Sequence, residues 1–144
     1  MTQVDFYVLD SDSDDARLLL ACKIVDKATQ LDHHVYVHST SDDEARKLDE
    51  LLWTFAQGSF IPHRVVRSEH GAPPLEPVLI GVNQPPGPGR WDVLVNLAPN
   101  VPDFFSRYER VAEVVDANAA RREQSRERYR FYRDRGYQLN THQV

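Results

Sequence analysis

The densest group of side chains able to do chemistry lies in "ERYRFYRDRGY", Glu127 to Tyr137. Four arginines and three tyrosines share this stretch with one phenylalanine. On a helix, residues three or four apart are neighbours. Arg122, Arg126, Tyr129 and Arg133 therefore form one stripe of guanidinium, guanidinium, phenol and guanidinium. A guanidinium grips carboxylates through a planar two-pronged geometry, and a neighbouring aromatic offers an apolar platform. Such a stripe suits an anionic peptide that also carries a hydrophobic side chain. The competing reading is a solvated face, with Glu123 and Glu127 pairing internally and the aromatics in the core. Composition alone leaves these two readings level. Nucleic-acid binding ranks third, because phosphate contact wants basic residues elsewhere as well.

Other groups carry weaker signals. Asp10 and Asp12 follow the first apolar run and make a D-x-D at the expected carboxyl edge of a sheet, where α/β folds often bind ligands. A small magnesium-dependent enzyme similar to haloacid-dehalogenase-like phosphatases would use such a pair. It would also need a downstream lysine and a later acidic pair, and "VNLAPN" supplies no acidic pair. A turn or cap role for these aspartates outweighs catalysis, and the phosphatase stands as the alternative. No G-x-x-x-x-G-K-[ST] or G-x-G-x-x-G opens a helix, so the usual anion cradle of a nucleotide site is missing. His34 and His38 would share a strand face, but no cysteine or carboxylate is spaced to complete a metal tetrahedron. His63 follows a proline in a loop. Cys22, in "LLACKIV", reads as a small core residue. No nucleophilic triad stands out, and neither metal nor cofactor is expected.

The elements that must position these groups follow from periodicity. "VDFYVL" (Val4 to Leu9), "HVYVH" (His34 to His38), Val78 to Val82, "WDVLVNL" (Trp91 to Leu97) and "RVAEVV" (Arg110 to Val115) read as strands. Ala16 to Gln30 reads as a helix with a broad buried face. Ser41 and Glu44 form a capping box opening a helix that runs to about Trp53. "DFFSRY" predicts a short helix. The last helix spans about Asn118 to Arg135, with Gly136 at its C′ position. "AQGSFIPH" and "NQPPGPG" read as loops. The alternation predicts a single α/β Rossmann-like domain over residues 1–144, with a largely parallel sheet flanked by helices.

Composition narrows the class. A hydrophobic content of 41% and a charged content of 27% are ordinary for a soluble globular protein. No apolar run is long enough to span a bilayer, and no signal peptide is expected. A lone cysteine fits a reducing cytoplasm. The chain carries a formal net charge of -5. Between Arg121 and Arg135, however, seven arginines meet three acids, a local excess of four positive charges. Such segregation suggests that one end of the molecule meets something anionic.

Three blocks together resemble the chi subunit family of bacterial DNA polymerase III holoenzyme. They are "DFYVLD", "LDELLWTFAQGSFIPH" and "RERYRFYRDRGYQLNT". The middle block resembles L-D-x-x-L-W followed by S-F-[VI]-P-H, and the last resembles R-E-R-Y-x-x-Y-x-x-x-G-[FY]-x-L-N. "WDVLVNL" sits where that family has a D-[IV]-L-[IV]-x-L strand. The resemblance implies a non-enzymatic adaptor with a nucleotide-binding-like fold and no nucleotide. It implies two partners: the psi subunit, which leads to the clamp loader, and the acidic, Phe-terminated tail of single-stranded DNA-binding protein. By motif position, Arg126 would pair with the terminal carboxylate of the tail. Arg122 would meet upstream aspartates, and Val115 and Tyr129 would line a pocket for the terminal Phe. Trp53 and Phe60 would bind psi, with a helicase sharing that site in some bacteria. DNA would be met only indirectly.

Overall fold

The structure is a computed structural model that describes residues 1–58, 60–67 and 74–144. Seven strands pair in one sheet, and every pairing is parallel. In chain order they are β1 (Gln3–Val8), β2 (Val35–Ser39), β3 (His63–Val66), β4 (Val78–Val82), β5 (Val93–Asn96), β6 (Arg110–Val115) and β7 (Gln138–Gln143). Across the sheet the order is β3-β4-β2-β5-β6-β1-β7. The helices are α1 (Asp14–Gln30), α2 (Asp42–Thr54) and α3 (Ala119–Asp134). A short 3-10 turn, Phe105–Arg107, stands where "DFFSRY" predicts a helix.

A parallel sheet covered on both faces needs strands that are apolar on both sides. Here the two faces feed two cores. Val35, Val37, Val93, Val95, Ala112 and Val114 pack beneath α1 and α2. Val4, Phe6, Tyr36, Leu94, Val111 and Val115 cluster with Tyr132 of α3, with Phe105 of the 3-10 turn and with its C-cap Tyr108. Cys22 sits in the first core, and burial pushes its thiol up to about 12, so it stays an inert protonated filler. Tyr36 lies across Gly81 of the neighbouring strand, where a Cβ would meet its hydroxyl at 1.7 Å. That hydroxyl donates to the Gln84 carbonyl and ties down the start of the proline-rich loop.

The caps explain where the helices begin. Ser13 accepts from the Ala16 amide at 3.3 Å and starts α1 two residues earlier than its apolar pattern suggests. Ser41 accepts from the Glu44 amide at 3.2 Å, which is half of the expected capping box. The reciprocal half is absent because the Glu44 carboxylate is held by the Ser39 hydroxyl at 2.7 Å and by Arg17 at 2.8 Å. Asn118 caps α3 by accepting from the Arg121 amide at 3.0 Å. Gly136 follows the helix end at φ +79°, a left-handed conformation that disfavours a side chain. No helix among the described residues is long and apolar enough to cross a membrane.

Candidate functional site

The arginine stripe opens onto a hollow of about 210 Å³ between α3 and the β6–β1–β7 edge. Val115 closes one end, Phe6 and Val8 form the floor, and Arg122, Arg126 and Tyr129 form the α3 wall. Parallel register sets the floor, since Val8 pairs with Val115 on one side and with Gln143 on the other. Thr141 of β7 completes the far wall. All four residues assigned to this region by sequence, Val115, Arg122, Arg126 and Tyr129, border the one hollow. Arg133, the last member of the stripe, lies beyond it and pairs with Asp134.

Each wall residue is held in a different way. Tyr129 is 37% exposed and meets Phe6 edge-on, with ring centroids 5.2 Å apart. Arg122 donates from Nε to the Asp116 carbonyl at 3.1 Å and makes no ion pair among the described residues. Arg126 pairs with Glu123 at 2.9 Å, and both side chains are well exposed. A similar exposed pair joins Arg130 to Glu127. Such pairs are weak and break readily for a better anion. The solvated-face reading is thus true of Glu123 and Glu127, while Tyr132 lies fully in the core. Arg122 stands at the end of the first turn of α3, where the helix dipole adds to the attraction for an anion.

Beneath the groove a buried network fixes α3 to the sheet. Glu113, in the middle of β6, is fully buried. It accepts from Arg128 Nε at 2.9 Å, from the Tyr132 hydroxyl at 2.7 Å and from Asn96 Nδ2 at 3.0 and 3.2 Å. Arg128 also donates to the Pro99 carbonyl at 2.9 Å. Burial pushes the Glu113 carboxyl up, and Arg128 with its neighbouring donors opposes that shift. Burial and the adjacent carboxylate raise the Tyr132 phenol, so it remains a donor. At the end of β6, Arg121 grips Asp116 through two bonds of 2.9 and 2.5 Å. Burial alone would raise Asp116, but the Arg121 fork holds its carboxyl below the usual range. Sequence reasoning missed this network. Its signal was a glutamate inside the apolar run "RVAEVV", a position that demands partners.

At the carboxyl edge of the sheet, where α/β folds place nucleotides, a cavity of about 210 Å³ is lined by the protein's own charges, Arg17, Glu44, Arg121 and Arg128. Buried Arg17 bonds Glu44 and Asp14 and donates to the Leu97 carbonyl at 2.9 Å. Asp10 and Asp12 are exposed in the turn before α1, and the cap itself is Ser13. No cluster of metal-ligating side chains exists among the described residues. His38 packs edge-on to Phe104 at 5.2 Å, and burial lowers its tendency to protonate.

A second surface lies at the opposite edge of the sheet. Trp53, near the end of α2, is 48% exposed and Phe60 is 82% exposed. Their rings meet edge-on at 5.6 Å. His63 of β3 packs against Trp53 at 4.4 Å, bridging to Ile61 and Asp49. Trp53 is therefore not core, despite ending an amphipathic helix. Ser59, in the turn expected before Phe60, lies outside the described residues.

The fold resembles the crystal structure of T4 UvsW, with a TM-score of 0.70 over 99% of this chain and 41% of that one, at 9% identity. Residues 1–140 match the family model for the DNA polymerase III chi subunit, HolC. The chain is 40% identical over 144 residues to DNA polymerase III subunit chi of Pseudomonas aeruginosa, covering 100% of this chain and 98% of that one. Against the same subunit of Escherichia coli it is 30% identical over 146 residues, covering 98% and 97%. Against that of Haemophilus influenzae the identity is 28% over 140 residues, covering 96% and 95%. The chain belongs to the family of DNA polymerase III chi subunits, accessory non-catalytic subunits of DNA replication.

Proposed function

We propose that this chain is a cytoplasmic replisome adaptor that receives the C-terminal tail of single-stranded DNA-binding protein in the α3 groove and binds psi through Trp53 and Phe60. Through psi it connects to the clamp loader. Arg126 receives the terminal carboxylate of the tail. Arg122 meets aspartates upstream, and Val115 and Tyr129 hold the terminal Phe. The observation that carries this reading is the convergence of these four residues on one hollow whose floor is apolar and whose wall is cationic. Such a hollow matches a ligand that is acidic along its length and aromatic at its end. The two surfaces stand at opposite edges of the sheet, so both partners fit at once.

The test is a titration of a fluorescent tail peptide with and without its last residue. Removing the terminal Phe should abolish most of the affinity. Equal affinity for the two peptides would overturn the pocket formed by Val115 and Tyr129.

A further inference from the structure

A separate cavity of about 420 Å³ opens on the other face of the sheet, beneath the C-terminal half of α1. Its volume falls within the roughly 300–1,000 Å³ of ligand sites. Leu20, Ile24 and Ala112 give it an apolar floor, and Lys23, Lys27 and Arg110 stand around it. Both lysines are exposed and make no ion pair among the described residues. The acidic side chain lining the cavity, that of Asp5, is 5% exposed and already held. His142 meets it at 3.1 Å, Asn140 at 3.3 Å and Arg110 at 3.5 Å. Among the lining side chains, the charge left free for a ligand is therefore positive, that of Lys23 and Lys27.

Spacing sharpens the match. Lys23 and Lys27 are one helical turn apart, about 6 Å along the axis. An extended peptide advances about 6.7 Å over two residues. Acids at alternate positions would meet both lysines while the side chain between them points to the floor. We propose that this cleft binds an extended acidic segment of a partner protein with an acid–apolar–acid pattern. The site goes beyond the α3 groove and shares no lining residue with it.

The experiment titrates a fluorescein-labelled peptide of alternating aspartate and leucine against the whole chain, and maps the complex by amide chemical shifts. Saturable binding should shift the amides of Ile24 and Ala112. Lys23→Glu/Lys27→Glu should weaken binding by about tenfold, since two attractions become repulsions. Arg46→Ala, on the exposed face of α2 and outside both cavities, should leave the affinity unchanged. Unchanged affinity in the double variant would overturn the proposal, as would shifts confined to α3. If anionic phosphatidylserine vesicles bind through these lysines and the peptide does not, the surface belongs to a membrane and the proposal also fails.

Discussion

The α3 groove and the Trp53–Phe60 pair are built on opposite physical plans. The groove lies at the β1–β7 edge and the pair at the β3 edge, six strand spacings or about 30 Å away. The groove presents charge, and its geometry is inherited from a buried network centred on Glu113. The pair presents apolar area, and its geometry comes from ring packing on His63. The first should gain specificity and on-rate from electrostatics, and the second should act as a hot spot that is indifferent to salt. One small sheet can therefore hold two partners without either competing for the other's kind of energy.

The largest effect should come from the foundation of the groove. Glu113→Ala leaves Arg128 buried without its carboxylate, a loss of about 3–5 kcal/mol in stability. Denaturant unfolding should show it, and hydrogen exchange should quicken in α3 before it does in α2. A variant as stable as the parent would mean that the network does not organise the groove.

Next in size is Arg126. Arg126→Ala should weaken tail binding by about 2 kcal/mol, at the low end for a charge pair because the guanidinium starts exposed. Arg126→Lys should restore only part of it, since an ammonium lacks the planar fork. Psi binding should be untouched. Loss of both partners together would collapse the distinction between the two surfaces.

Phe60→Ala should produce the mirror image. Psi binding should fall by about 2 kcal/mol, as for an aromatic anchor, while tail binding holds. Because Phe60 is 82% exposed, stability should change by less than about 0.5 kcal/mol. An early melt would place Phe60 in the core and remove it from the interface.

Acid should separate the surfaces more gently. The Asp116 carboxyl sits below its usual range when folded, so its contribution is present above the unfolded value near pH 4 and is lost as pH falls through the lower, folded value. The start of α3, tied through Arg121 and Arg122, should loosen in that window, visible as falling amide protection. Asp116→Asn should abolish this acid step. If it persists in the variant, another group is responsible.

How much of this was legible in sequence depended on whether the contacts were local. The stripe follows from helical spacing, so Arg122, Arg126 and Tyr129 fell into line directly. Phe6, Val8 and Thr141 did not, because they join the groove only through the pairing of β1 with β6 and β7. Such register is a long-range fact with no local trace. β7 was missed because an edge strand need not be apolar, and "QLNTHQ" is mostly exposed. β3 was missed because four residues carry too little pattern. Trp53 was ambiguous for a related reason: periodicity places it on α2, and only the packing of His63 and Phe60 shows that it caps a surface patch.

The smallest expected effect isolates the electrostatic part of the comparison. Arg122 makes no ion pair among the described residues, and its Nε bond to the Asp116 carbonyl leaves the remaining donors free for a ligand. Arg122 is partly exposed, so its pairing with upstream aspartates of the tail would keep contact with solvent. An exposed pair of that kind contributes about 0.2–1 kcal/mol. At 0.15 M ionic strength, charges separated by more than about 8 Å are largely screened from each other. Arg122→Ala should therefore cost up to about 1 kcal/mol of tail affinity at low salt and almost nothing at high salt. The loss should appear mainly in the association rate, since a rim charge steers the encounter more than it holds the complex. Stopped-flow mixing of a fluorescent tail peptide at two salt concentrations measures both quantities. The same series on psi should show no salt-dependent difference between Arg122→Ala and the parent. A loss that persists undiminished at high salt, and lies in the dissociation rate, would move Arg122 from the rim of the groove into its desolvated interior.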